Sequence, residues 1–209
     1  VWYNYRDGSY SRAVSTAGAR EVTTSGNRVM QFTDTGFDFA DMNGDRLNDA
    51  TRIRPTHVIY AASKGHGNFA DAIQITIPDQ VLTDTQTGQI KRAKLTDING
   101  DGLADLVLER ATANQLWFWL NLGTDTFSSK YTVEKMPTQF SENTTVRWAD
   151  LNGNGTTDLI YADSTAATRL RTFDIGVAAA RFTHPYLLSR IDNGLGVITN
   201  ISYQSSTEQ

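Results

Sequence analysis

The chain has 209 residues, 39% of them hydrophobic and 20% charged, with a formal net charge of −4. That is enough for a sizeable core in one large or two small domains, with the composition of a folded soluble protein. The 19 Lys and Arg form no basic run for nucleic acid, no apolar stretch could span a bilayer as a helix, and the absence of cysteine removes disulfides, thiolate chemistry and Cys-based zinc sites.

In chain order, VWYNYRDGSY at 1–10 reads as a strand, a turn carrying Asp and Gly, and an aromatic opening the next strand. Phe37 and Phe39 alternate into DMNGDRLNDA at 41–50, and DATRI at 49–53 continues as a strand. VIYAASKGHGNF at 58–69 is a looser copy of the opening strand and turn. Ala93 and Leu95 lead into DINGDGLADL at 97–106, with DLVLE following at 105–109. FWLNLGTDTF at 118–127 aligns without gaps on residues 1–10, placing Trp119 on Trp2, Asn121 on Asn4 and Phe127 on Tyr10. Val146 and Trp148 then lead into DLNGNGTTDL at 150–159, followed by DLIYA at 158–162 and RTFDIGVAAARF at 171–182. Near the end, DNGLG between two alternating runs is a hairpin signal.

Asp41, Asp97 and Asp150 therefore open three related acidic loops, 56 and 53 residues apart. Each unit has the length of a four-stranded blade, and no window carries a long amphipathic helix. The expected fold is all-β, with β-propeller blades of four-stranded antiparallel sheets over 1–182 and a connecting hairpin over 183–209. Three full units and one partial unit fall short of a usual closed propeller, so the sequence reads as an incomplete propeller cut from a longer chain. A four-bladed closure using residues 1–36 is the other option.

The loops suit a hard cation. Calcium takes six to eight oxygens at about 2.3–2.6 Å. The second loop offers Asp97, Asn99, Asp101 and Asp105 at positions 1, 3, 5 and 9, with the Leu103 carbonyl at position 7. Gly102 at position 6 allows the sharp turn. The first offers Asp41, Asn43, Asp45, the Leu47 carbonyl and Asp49, but Arg46 replaces the glycine and makes the turn less comfortable. The third offers Asp150, Asn152, Asn154, the Thr156 carbonyl and Asp158; with two carboxylates it is expected to bind most weakly or stay empty. Without an ion, carboxylates about 5 Å apart at an effective dielectric near 20 repel by roughly 3 kcal/mol per pair. An EF-hand is excluded: position 12 is Arg52, Leu108 or Tyr161 rather than Glu, and the flanks alternate as strands. The plainer reading is turn chemistry, since Asp, Asn and Gly gather in any tight turn. Three copies in phase favour structural calcium.

The pattern of apolar strand, D-x-N-G-D-G-x-x-D, apolar strand and later W-x-N-x-G-x-x-x-F resembles the FG-GAP/VCBS repeats of integrin-like β-propellers, over residues 1–182. LLSRIDNGLGVITNISYQSS at 187–206 resembles the segment that follows such repeats in SpvB/TcdB-type bacterial toxins, the B components of Tc insecticidal toxin complexes, related to Rhs/YD-repeat proteins. The resemblance implies a secreted, extracellular bacterial protein without enzymatic activity. Its propeller would serve assembly, docking and gating, with other toxin-complex subunits or the remainder of its own chain as partners.

Catalytic signals are sparse. His57, His66 and His184 have no ligand spacing to one another, His66 in GHG suits a turn, and there is neither a nucleophile elbow nor a phosphate loop. Trp2, Trp117, Trp119 and Trp148 could form a sugar-stacking surface, although alternation places Trp117 and Trp119 on one face, which suits core. NTT at 143–145 and NIS at 200–202 match glycosylation acceptors only at the three-letter level. The alternative function is an adhesion or carbohydrate-binding propeller whose ligand is a glycan or receptor.

Overall fold

The computed structural model describes residues 6–9, 20–23, 26–79, 82, 92–110, 115–134, 145–162, 170–175 and 188–202. Residues 1–5, 10 and 176–182 of the outer repeats, His184, and Asn143 and Thr144 of NTT lie outside the described residues. Within them the chain is all-β, and no helix there is long and apolar enough to cross a membrane.

Fifteen strands are seen among the described residues. β1 (Arg20–Thr23) pairs with β2 (Gly26–Val29). β3 (Phe37–Ala40), β4 (Asp49–Ile53), β5 (His57–Ala61) and β6 (Ile73–Thr76) form a four-stranded antiparallel sheet in sequence order. β7 (Ala93–Thr96), β8 (Asp105–Arg110), β9 (Gln115–Trp119) and β10 (Tyr131–Val133) repeat that order. β11 (Thr145–Ala149), β12 (Asp158–Ala162) and β13 (Leu170–Phe173) form an antiparallel three-stranded sheet. β14 (Arg190–Asp192) and β15 (Ile198–Asn200) are the hairpin signalled by DNGLG, with Gly194 and Gly196 at φ 68° and 93°.

The alternating runs read from sequence are β3, β7 and β11, and the runs after the acidic loops are β4, β8 and β12. Edge strand β6 buries only Ile75, whereas Asp105–Glu109 of β8 are all buried. Such continuous burial means both faces of a central strand are covered, which suits its Leu-Val-Leu run. Burying each of Leu106, Val107 and Leu108 contributes about 1.5–3 kcal/mol.

Contacts divide the chain into two compact units. One holds Val1–Leu95, Leu103–Glu109 and Phe118–Tyr131; the other holds Thr96–Gly102, Arg110–Trp117 and Thr132–Gln209. In the first, Met30, Ala50, Ile59 and Ala61 form a core cluster backed by Phe37, Phe69 and Ala72. Trp119 is fully buried there and donates its indole N–H to the Pro78 carbonyl at 3.0 Å. In the second, Trp117 is 9% exposed with the Arg110 guanidinium 4.1 Å over its ring. Both tryptophans are core residues, as alternation implied.

Candidate functional site

Each acidic loop joins the first strand of a sheet to the second, and its ninth residue (Asp49, Asp105 or Asp158) is the first residue of that second strand. Backbone N–H groups organise the turn. Asp41 accepts from the N–H of Gly44 on Oδ1 and of Arg46 on Oδ2, both at 2.7 Å. Asp97 does the same with Gly100 and Gly102 at 2.7 and 2.8 Å, and Asp150 with Gly153 and Gly155 at 2.7 and 3.0 Å. The Oδ1 atoms of Asn43, Asn99 and Asn152 accept from the N–H of position 5 at 3.0, 3.1 and 2.9 Å. One step on, Asp45 and Asn154 accept from the N–H of Leu47 and Thr156, both at 2.8 Å. The last aspartate reaches back, with Asp49 taking the N–H of Met42 and Asp158 that of Leu151, both at 3.0 Å.

This coil needs a left-handed residue at position 6. Gly102 and Gly155 supply it at φ 88° and 85°, and Arg46 is forced to φ 67°, the discomfort expected from sequence. Inward-pointing N–H groups of this kind form a nest for negative charge, filled here by the loop's own first aspartate.

Those bonds use part of the acceptor capacity. A carboxylate has about four lone-pair sites, so oxygens already holding one N–H can still ligate a cation. The donors are all hard oxygens, suited to calcium or magnesium rather than a soft metal. Among the described residues no three His, Cys, Asp or Glu side chains gather as a ready-made metal group, so an ion would depend on amide and backbone oxygens as well. One atom argues for the fit: Asp158 Oδ1 is buried with no hydrogen-bond partner. Burial is the main cause holding the Asp49, Asp97 and Asp158 carboxyls above their ordinary range; neighbouring acids add to it, and backbone N–H bonds oppose it.

Three partners of the loops were not read from the sequence. Asn121, 2% exposed, donates its N–H to Asp105 Oδ1 at 2.8 Å and its Nδ2 to the carbonyls of Met42 and Ala104 at 2.9 and 3.3 Å. Its Oδ1 accepts from Gly123 N–H at 3.0 Å, so a buried amide is satisfied on both ends. This explains the asparagine of the W-x-N-x-G signature. Ser63 caps Asp49 Oδ1 through its N–H at 2.8 Å. The third partner is Asp174, whose Oδ2 accepts from Asn152 and Asn154.

Neighbouring loops are also tied. The Ala104 N–H bonds the Asp41 carbonyl at 2.7 Å. Thr157 gives its N–H to the Ile98 carbonyl at 3.4 Å and its hydroxyl to the Asp97 carbonyl. Of the histidines, His57 Nδ1 lies 3.0 Å from Thr56 Oγ1, and His66 occupies a left-handed turn at φ 54° between Gly65 and Gly67.

An all-β scaffold of repeated sheets carrying acidic loops is the class these observations define. Residues 121–209 match the family model described as the insecticide toxin TcdB middle/N-terminal region. The fold resembles a chain of the Photorhabdus luminescens Tc holotoxin pore with TM-score 0.73 and 21% identity, covering 99% of this chain and 9% of that one. A crystal structure of TcdB2-TccC3 without its hypervariable C-terminal region gives 0.69 and 21%, covering 91% and 9%. A structure of an Agrocybe aegerita lectin, described as recognising non-reducing terminal N-acetylglucosamine, gives 0.53 and 19%, covering 82% and 45%. The chain thus spans about a tenth of the toxin chains it resembles. The comparison with curated proteins found no match.

Proposed function

We propose that this chain is a β-propeller region of the B component of a Tc-type toxin complex, a non-enzymatic module acting in assembly, docking and gating. The reading is carried by the agreement between the TcdB family match over 121–209 and the toxin-like fold over 99% of the chain. Sheets of four strands in sequence order suit propeller blades, with the acidic loops at their first turns. The setting is extracellular, and the partners are other toxin-complex subunits and the rest of a longer polypeptide of Rhs/YD type.

Calcium in the loops is part of the proposal. The ion would be held by the oxygens of positions 1, 3, 5, 7 and 9, and its role is to offset carboxylate repulsion and stiffen the turn between two strands. It supplies no reaction chemistry.

Binding of the parent polypeptide, with this region intact or deleted, to its complex's pore-forming subunit tests the docking role by biolayer interferometry. Loss of binding on deletion is expected; undiminished binding refutes docking by this region. The lectin likeness favours a second reading, glycan recognition. A glycan array separates the two: saturable binding of a sugar by the 209-residue chain would favour the lectin-like role.

A further inference from the structure

The three acidic loops differ in what covers them. Position 2 is Met42, 2% exposed, in the first loop and Ile98, 0% exposed, in the second, but Leu151, 54% exposed, in the third. Over the first two, bonds arrive from the loop that follows. Ala104, at position 8 of the second loop, gives its N–H to the Asp41 carbonyl. Thr157, at position 8 of the third, gives its N–H to the Ile98 carbonyl and its hydroxyl to that of Asp97. Position 7 packs beside the first of these bonds: a Leu103 methyl lies 3.2 Å from where a Cβ on Gly44 would stand, so the glycine at position 4 makes room for it.

Each such contact joins a donor face, positions 7 and 8, to an acceptor face, positions 1, 2 and 4. The donor face of the first loop is open: Leu47 is 42% exposed, and Asn48 is exposed beside it. The acceptor face of the third loop is open too. Asp150, Leu151 and Gly153 are exposed there, and among the described residues no N–H reaches the carbonyl of Asp150 or Leu151. Single exposed leucines are ordinary on a protein surface. Here each stands where its counterpart in another loop is covered, so the chain carries both halves of a contact that it already makes twice.

We propose that these halves meet between copies: the loop at 41–49 of one chain seats on the loop at 150–158 of a second copy, head to tail. Leu47 lies over Gly153 and against Leu151, and the Asn48 N–H bonds the carbonyl of Asp150 or Leu151. Contact between two acidic loops is no obstacle, since those opened by Asp41 and Asp97 are already tied within the chain. Joining two different faces makes a heterologous contact, which propagates into a ring or an open series rather than stopping at a symmetric pair. Neither the toxin reading nor an ion in the loops is needed for it.

Sedimentation velocity on the 209-residue chain across a concentration series compares wild type, Leu47→Asp and Leu151→Asp. Both leucines are exposed, so the circular dichroism spectrum should be unchanged in each variant. Wild type is expected to associate as concentration rises. Each substitution sets a charge into the contact and is expected to weaken association at least about tenfold. Mixed in equal amounts, the two variants should form a one-to-one complex and nothing larger, because each keeps the face that the other has lost. Association that neither substitution weakens, or a mixture in which no complex forms, overturns the head-to-tail contact. Wild type that stays monomeric throughout overturns it as well, and would leave the two faces to other repeats of a longer polypeptide.

Discussion

In the loop at 41–49 an arginine stands at φ 67° where the loop at 150–158 has Gly155 at 85°, yet the same hydrogen bonds hold both. Position 1 takes the N–H groups of positions 4 and 6, and position 9 takes that of position 2. The loops part company at the side chains. The first keeps its charge inside the nine residues and caps both oxygens of Asp49. The third borrows Asp174 from beyond β13 and leaves one oxygen of Asp158 without a donor. The backbone pattern sets the shape, and the side-chain partners of a loop can come from elsewhere in the sheet.

The sharpest way to break this comparison is to delete position 9 from each loop. Asp49→Ala strands the N–H groups of Met42 and Ser63 and is expected to cost about 2–5 kcal/mol in chelator; Asp158→Ala strands that of Leu151 and loses the weaker pull of the Asn152 N–H, and should cost about 1–3 kcal/mol. Urea denaturation measures both, and equal losses would mean the Ser63 cap is worth nothing.

A pH response from outside both loops must be separated before their own titration can be compared. Burial pushes the Glu109 carboxyl from 4.5 to about 7, with Arg92 and Lys94 pulling it back. The folded state then binds more protons than the unfolded one. Stability is therefore greatest below the ordinary value and falls as pH rises to 7, by up to roughly 3 kcal/mol. Glu109→Gln should flatten that slope in denaturation curves between pH 4.5 and 7; an unchanged slope assigns it to other groups.

On the proposed reading of the loops, calcium should raise the melting temperature by several degrees, about 1–2 kcal/mol, and magnesium by much less, because calcium accepts irregular sets of oxygens whereas magnesium demands a near-ideal octahedron. Identical shifts from both ions would argue against the coordination chemistry. The smallest effect concerns position 6. Gly155→Ala should cost about 1 kcal/mol, whereas Arg46→Gly should change stability by about 0.5 kcal/mol or less, because relief of backbone strain is set against added unfolded-state freedom. Thermal melts rank the two, and a larger loss for Arg46→Gly would show that the arginine side chain holds the first loop.

The sequence made the loops and their flanking strands legible because both signals are local: period-two alternation around Phe37, Leu95 and Val146, and Asx turns every second residue between. The strain at Arg46 followed from glycine's absence alone. Asp174 was not legible, since a single aspartate in RTFDIG means nothing until β13 pairs with β12. Asn121 was visible as part of a signature but not as a clamp, because the carbonyl it holds belongs to Met42, 79 residues away. The hairpin β1–β2 was missed because its strands, REVT and GNRV, lack apolar alternation.

The ties between neighbouring loops bear on the order in which the chain can be made. The carbonyl of Asp41 is capped by the Ala104 N–H, and that of Asp97 by the Thr157 hydroxyl. During synthesis the residues of each turn leave the ribosome before the residue that caps its first carbonyl, so each tie forms only once the next repeat has been made. Amide exchange at Ala104, bonded to the Asp41 carbonyl, and at Thr157, whose N–H bonds the neighbouring Ile98 carbonyl, would report the two ties separately.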